Sequence, residues 1–235
     1  MDDNNPASRI ALALDVPDLE AAKALIDKTH EHVGVFKVGL ELYTAVGPAA
    51  VEAVHSAGSE CFLDLKLHDI PATMGRSVAR AASMGVAYLT VHAAAGSESL
   101  QEAQSKSGST RLLAVTVLTS LDAAALQAIG LLGQPREAAG RLASLAWDAG
   151  VRGFVTSAHE CATLRRTLGD EAFLVTPGIR PAGADVGDQK RVMTPADAID
   201  AGSDLLVVGR PIRDAADPHQ ASAEIAHQVR LALLR

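Results

Sequence analysis

The stretch Cys61-Phe62-Leu63-Asp64-Leu65-Lys66-Leu67-His68-Asp69 begins as an apolar strand and ends in charge. Side chains alternate across a strand, so Phe62, Asp64 and Lys66 share one face while Cys61, Leu63 and Leu65 share the other. Ionisable groups at the C-terminal end of such a run are what an active site at the rim of a parallel barrel requires. Reading outward, the runs at 10–15, 35–39, 61–65, 87–92, 112–118, 153–157, 172–176 and 204–209 have strand character, with helical pattern between them. Asp18, Ser97 and Thr194-Pro195 stand where helices should start, and Gly58, Gly85, Gly150 and Gly202 where they should stop. Eight β/α units in 235 residues, with no composition break, predict an α/β fold: one (β/α)8 TIM barrel over 1–235. An open, doubly wound sheet would need a glycine-rich phosphate turn after the first strand, and Asp15-Val16-Pro17-Asp18 is not one.

Composition narrows the function classes. Hydrophobic residues make up 48% of the chain and aromatics only 3%, so the core must be built of Ala, Val, Leu and Ile. A net charge of −7, without a concentrated Lys/Arg patch, argues against a nucleic-acid partner. The acidic, polar start Met1-Asp2-Asp3-Asn4-Asn5-Pro6 lacks the basic and apolar regions of a signal peptide, and no run approaches the roughly 20 apolar residues of a membrane span. A soluble cytoplasmic protein is expected. Cys61 and Cys161 show neither pairing framework nor CxxC spacing and read as two packed thiols in a reducing compartment.

The chemistry gathers at strand ends. Ala11, Ala13 and Asp15 share a face of the first strand and Val35 and Lys37 a face of the second, so Asp15 and Lys37 converge with Asp64 and Lys66 on the interior, two lysines and two aspartates in all. Buried charges persist when paired, and an alternating network of Lys37, Asp64, Lys66 and a third carboxylate is physically reasonable. A purely structural ion cluster remains open for the D-x-K spacing by itself. Asp69 lies beyond the strand, and the pleat does not force it onto the face of Lys66; it either closes the network locally or serves a neighbouring subunit.

At the other end of the chain, Val207-Val208-Gly209-Arg210-Pro211 follows the eighth strand and Pro177-Gly178-Ile179-Arg180-Pro181 the seventh, the usual phosphate corner of such barrels. The long irregular stretch 180–189 reads as a lid. His30, His32, His55, His219 and His227 lack ligand spacing, and His92 at the end of the fourth strand reads as a structural hydrogen-bonding residue. With neither HExxH nor a His/carboxylate triad, no metal site is expected.

Taken in order, Ala13-Leu14-Asp15, Phe36-Lys37-Val38-Gly39, Phe62 through Pro71, Val91-His92-Ala93, Val115-Thr116-Val117-Leu118-Thr119-Ser120, Thr176 through Pro181, Gly187-Asp188-Gln189 and Val208-Gly209-Arg210-Pro211 resemble the bacterial branch of the orotidine 5′-monophosphate decarboxylase family over nearly the whole chain. The resemblance implies a cofactor-free, metal-free decarboxylase forming uridine 5′-monophosphate, acting as a homodimer with shared active sites. It further implies that Asp15 binds ribose, that Lys37 bridges ribose and the charged network, and that Asp64 lies beside the substrate carboxylate. Lys66 would donate a proton to C6 of the pyrimidine. Asp69, Ile70 and Thr73 would reach the partner's site, Thr119 would bond the pyrimidine edge, and Gln189 would join the lid to base and phosphate. Arg180, Gly209 and Arg210 would bind phosphate. Ala72 departs from the Asn the resemblance leads one to expect, at a position expected to contribute through its backbone.

Two other readings compete. A Mg2+-dependent sugar-phosphate decarboxylase or aldolase of the same superfamily shares D-x-K-x-x-D but should lack the His68-Asp69-Ile70-Pro71 context and the 177–189 pattern. A non-catalytic phosphate-binding barrel should have lost Lys66 or Asp64. Both residues are present.

Overall fold

In a computed structural model, which describes residues 5–181 and 193–235, the strands β1 (Ile10–Ala13), β2 (Val35–Val38), β3 (Glu60–Leu67), β4 (Tyr88–His92), β5 (Arg111–Val115), β6 (Gly153–Val155), β7 (Phe173–Thr176) and β8 (Leu205–Val208) form a closed barrel. Every neighbouring pair is parallel, and β8 returns to β1. The helices are α1 (Leu19–Thr29), α2 (Leu40–Val46), α3 (Ala49–Ser56), α4 (Pro71–Ser83), α5 (Ser97–Ser105), α6 (Ala123–Ala128), α7 (Pro135–Asp148), α8 (Ala158–Leu168), α9 (Pro195–Asp200), α10 (Arg210–Arg213) and α11 (Pro218–Leu233). This is the expected (β/α)8 barrel. Among the described residues no helix is long and apolar enough to cross a membrane.

Strand alternation builds two cores. Ala11, Ala13, Val35, Phe62, Tyr88, Leu113, Val175, Leu205 and Val207 fill the barrel. Their neighbours Leu12, Phe36, Leu63, Leu89 and Leu206 face outward and pack with the helices, where Cys61 and Cys161 also lie buried. The small Ala11 and Ala13 of β1 share this interior with the large Phe62 and Tyr88. Phe62, Tyr88 and Phe173 pack ring to ring at centroid separations of 6.0 and 5.6 Å. At Gly153 a Cβ would fall 2.5 Å from the Leu112 carbonyl oxygen, so the β5–β6 approach demands glycine.

Local signals mostly act where expected. Asp18 accepts a hydrogen bond from the Ala21 amide at 2.8 Å, Thr194 caps α9 with Pro195 in its first turn, and Gly58, Gly85, Gly150 and Gly202 all take positive φ. Ser97 is a correction: it is the first residue of α5, and Gly96 is the cap. Several strand limits also differ. β1 ends at Ala13 and leaves Asp15 on the following loop, β5 ends at Val115, and β3 runs on to Leu67. The expected lid at 180–189, and Gln189 with it, lies outside the described residues apart from Arg180 and Pro181. Beside it, Ile179 and Met193 form a parallel bridge, with the Arg180 amide donating to the Met193 carbonyl at 3.0 Å.

Candidate active site

Three adjacent strands bring four charges into one row. Lys37 Nζ lies 3.1 Å from Asp15 Oδ1 and 3.4 Å from Asp64 Oδ2, and Lys66 Nζ lies 2.8 Å from the same Asp64 oxygen. The order is Asp15, Lys37, Asp64, Lys66, with signs alternating, so each buried charge has an opposite neighbour. The second carboxylate of the row is Asp15. Asp69 stands apart: its Oδ1 accepts from the Ile70 amide at 2.7 Å and its carbonyl from Ser99 Oγ at 2.9 Å.

Burial pushes the Asp64 carboxyl up, but Lys37 and Lys66, with hydrogen bonds from Lys66 and Thr90, outweigh it and hold the group below the usual carboxylate range. Asp64 is therefore an anion at neutral pH. Gly39 makes room for the row, since a Cβ there would meet Lys37 Nζ at 2.9 Å and Asp15 Oδ1 at 3.0 Å. That glycine sat in a recognised motif, but its function as empty space is visible only in three dimensions.

Simple alternation does not explain how Lys66 arrives. Its φ is +50°, the left-handed region, and the β3–β4 register shifts between Leu63 and Leu67. Such a conformation costs a non-glycine residue about 1–2 kcal/mol. The Lys66 amide donates to Thr90 Oγ1 at 2.8 Å, and that hydroxyl donates to Asp64 Oδ1 at 2.9 Å. Sequence reasoning passed over Thr90. Its signal was a hydroxyl two residues after Tyr88, on the barrel-facing side of β4.

Lys37, Asp64 and Lys66 line a cavity of about 170 Å³ with Phe62, Val115, Val117, Thr119, Val155, Pro177 and Val207 among its other walls. Thr119 thus lines the same cavity as the charged residues. Gly209 caps α10, whose first residue is Arg210, and Arg180 follows β7 with its Nη1 donating to the Ile179 carbonyl at 2.9 Å. The neighbouring β7 and β8 therefore carry these residues from their C-terminal ends, the ends from which β1–β3 deliver the charged row. Asp69 and Ile70 instead line a separate groove with His68, Pro71 and the segment 95–99, while Thr73 lies in the first turn of α4. Ile70 is 67% exposed.

Among the described residues the His92 ring makes no side-chain hydrogen bond of the kind expected and instead contacts another ring. Its ring stands 5.5 Å from that of His68, and burial, with His68 and Lys66 nearby, lowers its pKa against the opposing pull of Asp64. Away from the site, the fold gathers Glu31, His32 and His219 so that one ligand atom of each lies within 4.8 Å of the others. Spacing along the chain could not show this, because His219 comes from α11 and the other two from the turn after α1.

Residues 8–225 match the model of the orotidine 5′-phosphate decarboxylase / HUMPS family. The chain belongs to that family. It is 54% identical over 222 residues to an orotidine 5′-phosphate decarboxylase of Anaeromyxobacter sp. (strain K), covering 94% of this chain and 98% of that protein. With the Thermobifida fusca protein of the same name it shares 51% over 224 residues, 95% of this chain and 96% of the relative. The crystal structure of orotidine 5′-phosphate decarboxylase from Lactobacillus acidophilus superposes with a TM-score of 0.84 at 33% identity, covering 94% of this chain and 99% of that one. These relatives are bacterial, in line with the branch that the motifs resemble.

Proposed function

We propose that this chain decarboxylates orotidine 5′-monophosphate to uridine 5′-monophosphate in de novo pyrimidine synthesis, without metal or cofactor. The observation that carries the reading is the alternating row Asp15, Lys37, Asp64, Lys66, set partly into an otherwise largely apolar cavity in a member of this family.

The substrate's phosphate is assigned to Arg180, Gly209 and Arg210, with Gln189 joining phosphate and base, its ribose to Asp15 and Lys37, and the pyrimidine edge to Thr119. Ile70 and Thr73 complete the binding set from a partner subunit. The orotate carboxylate then falls beside Asp64, where like charges favour its departure. The C6–carboxylate bond breaks, CO2 leaves, and the electron pair stays on C6. No adjacent carbonyl delocalises that pair, so a fixed cation must stabilise it, and the Lys66 ammonium is that cation. Its Nζ–H then protonates C6, and the neutral amine regains a proton from solvent. Phosphate binding far from the reacting bond provides the energy that organises the site.

The protein is further proposed to be a cytoplasmic homodimer of one catalytic domain over 1–235, with Asp69 completing the partner's site. Supporting this, Asp69 takes no place in the chain's own ion row, and Ile70 is exposed beside it. An isologous pairing would give each site the other's Asp69.

The test is to mix the purified protein with orotidine 5′-monophosphate in EDTA and follow loss of the orotate chromophore. Turnover is expected; none, or turnover restored only by Mg2+, rejects the assignment. For the shared site, Lys66→Ala and Asp69→Ala proteins, each inactive, are mixed. Heterodimers should recover part of the activity, and no recovery means that Asp69 acts within its own subunit.

A further inference from the structure

We infer that Thr90 is the positioning residue of the Asp64–Lys66 pair, a role that rests on the proposed reaction but that can also be read without it. Thr90 is buried on β4, 1% exposed, and its single hydroxyl both accepts and donates a hydrogen bond. The Lys66 amide can only donate, so it takes a lone pair of Oγ1 at 2.8 Å; the Asp64 carboxylate can only accept, so the hydroxyl proton points to Oδ1 at 2.9 Å. Neither bond leaves the hydroxyl an alternative rotation.

Two consequences follow for the reacting groups. With Oδ1 held from β4, Asp64 presents Oδ2 to both lysines, at 2.8 Å from Lys66 and 3.4 Å from Lys37. The carboxylate plane is thereby set. The same hydroxyl occupies the Lys66 amide where the ladder shifts register and where the residue takes φ +50°. An amide left unbonded there would remove a restraint on the left-handed backbone, and with it the origin from which the lysine side chain reaches back to Asp64. One threonine thus orients the anion and the proton donor together, without itself touching the substrate. Unlike the aspartates and lysines, it can do so without adding charge to the cavity.

Thr90→Val keeps the shape and removes the hydroxyl; Thr90→Ser keeps the hydroxyl. Misplacing a reacting group by about an ångström can cost roughly 10²-fold in rate, so Thr90→Val should lose between about ten- and a hundredfold in kcat with KM nearly unchanged, while Thr90→Ser stays within a few fold of the parent. The acid limb of the kcat profile should move to higher pH in Thr90→Val, because Asp64 loses a donor while still facing Lys37 from β2, Lys66 on its own strand and His92 from β4, with Asp15 from the β1 loop beyond Lys37. A packing role alone would lower stability without moving that limb. Unchanged kcat in Thr90→Val, or equal losses in the valine and serine variants, overturns the inference. If Thr90→Val does not fold, Thr90→Cys, of similar size with a weak donor, replaces it in the same comparison. Should the parent protein fail to turn over orotidine 5′-monophosphate, the proposed function fails, and the crystal structures of parent and variant decide the role of Thr90 separately: Lys66 must leave φ +50° or separate from Asp64 when the hydroxyl is removed, and a Lys66–Asp64 pair unmoved in the variant refutes it.

Discussion

The two halves of the barrel rim differ. From β1 to β4 it carries Asp15, Lys37, Asp64, Lys66, Thr90 and the His68–His92 ring pair; on the side of β5, β6 and β8 the walls of the cavity are chiefly Val115, Val117, Val155 and Val207. The charged half supplies groups that can act on a carboxylate and a carbanion. The apolar half excludes water and lowers the local dielectric, which strengthens every interaction the charged half makes. Neither half would suffice: the same ions on a wet surface would be screened, and an apolar cup without ions has nothing to stabilise.

Breaking the charged half should have the largest effect. Lys66→Ala removes both the fixed cation and the proton donor and should lower kcat by about 10⁴-fold or more, since general acid catalysis alone contributes up to roughly that factor. A change confined to KM, measured by chromophore loss, would assign Lys66 to binding and not to chemistry. Asp64→Asn should cost roughly 10²–10³-fold, the scale of one lost electrostatic partner. It should also leave a signature in stability. The folded-state pKa of Asp64 is depressed, so its stabilising contribution is present above the unfolded value, near about 3.9, and is lost as pH falls through the folded value. The melting-temperature gap between parent and Asp64→Asn should therefore be widest near neutrality and shrink below about pH 4; a gap independent of pH would show that Asp64 is not held ionised by its neighbours.

Smaller effects sharpen the contrast. Gly39→Ala puts a methyl where Lys37 Nζ and Asp15 Oδ1 now meet and should raise KM several fold with a lesser change in kcat, because it disturbs the ribose end of the row and leaves the Asp64–Lys66 end in place. On the apolar side, Val155→Thr exchanges a methyl for a hydroxyl of similar size and should reduce kcat/KM by about fivefold, close to 1 kcal/mol. An effect as large as that of Asp64→Asn would mean that the apolar half takes a direct part in the chemistry. The smallest effect belongs to the thiols. Burial pushes both Cys61 and Cys161 up to about 12, so they stay protonated and enclosed, and a maleimide at pH 8 should leave turnover unchanged until the protein unfolds.

The division between legible and hidden features runs along particular residues. Period-two alternation located the barrel-facing Ala11, Ala13, Val35 and Phe62 and placed Lys37 and Asp64 with them, because the pleat dictates those faces locally. It overran at 116–118, where Thr116-Val117-Leu118 keep the apolar character of a strand although β5 has ended. Lys66 reached the predicted partner by an unpredicted route, through a left-handed backbone that alternation cannot describe. Thr90 and Gly39 were missed as functional positions because a hydroxyl or a missing methyl carries no chemical signal until its neighbours are known.

The sequence by itself determined that this chain closes eight β/α units into a barrel, that its ionisable groups stand at strand ends, and which family its motifs resemble, since strand periodicity, capping residues and short motifs are properties of neighbouring residues. Only the tertiary structure decided that Asp15, and not Asp69, completes the ion row of its own chain, that Gly39 leaves space for it, and that a threonine 24 residues from Lys66 holds the lysine's backbone. Those outcomes depend on distances between segments far apart in the chain, which barrel closure sets and local sequence does not encode.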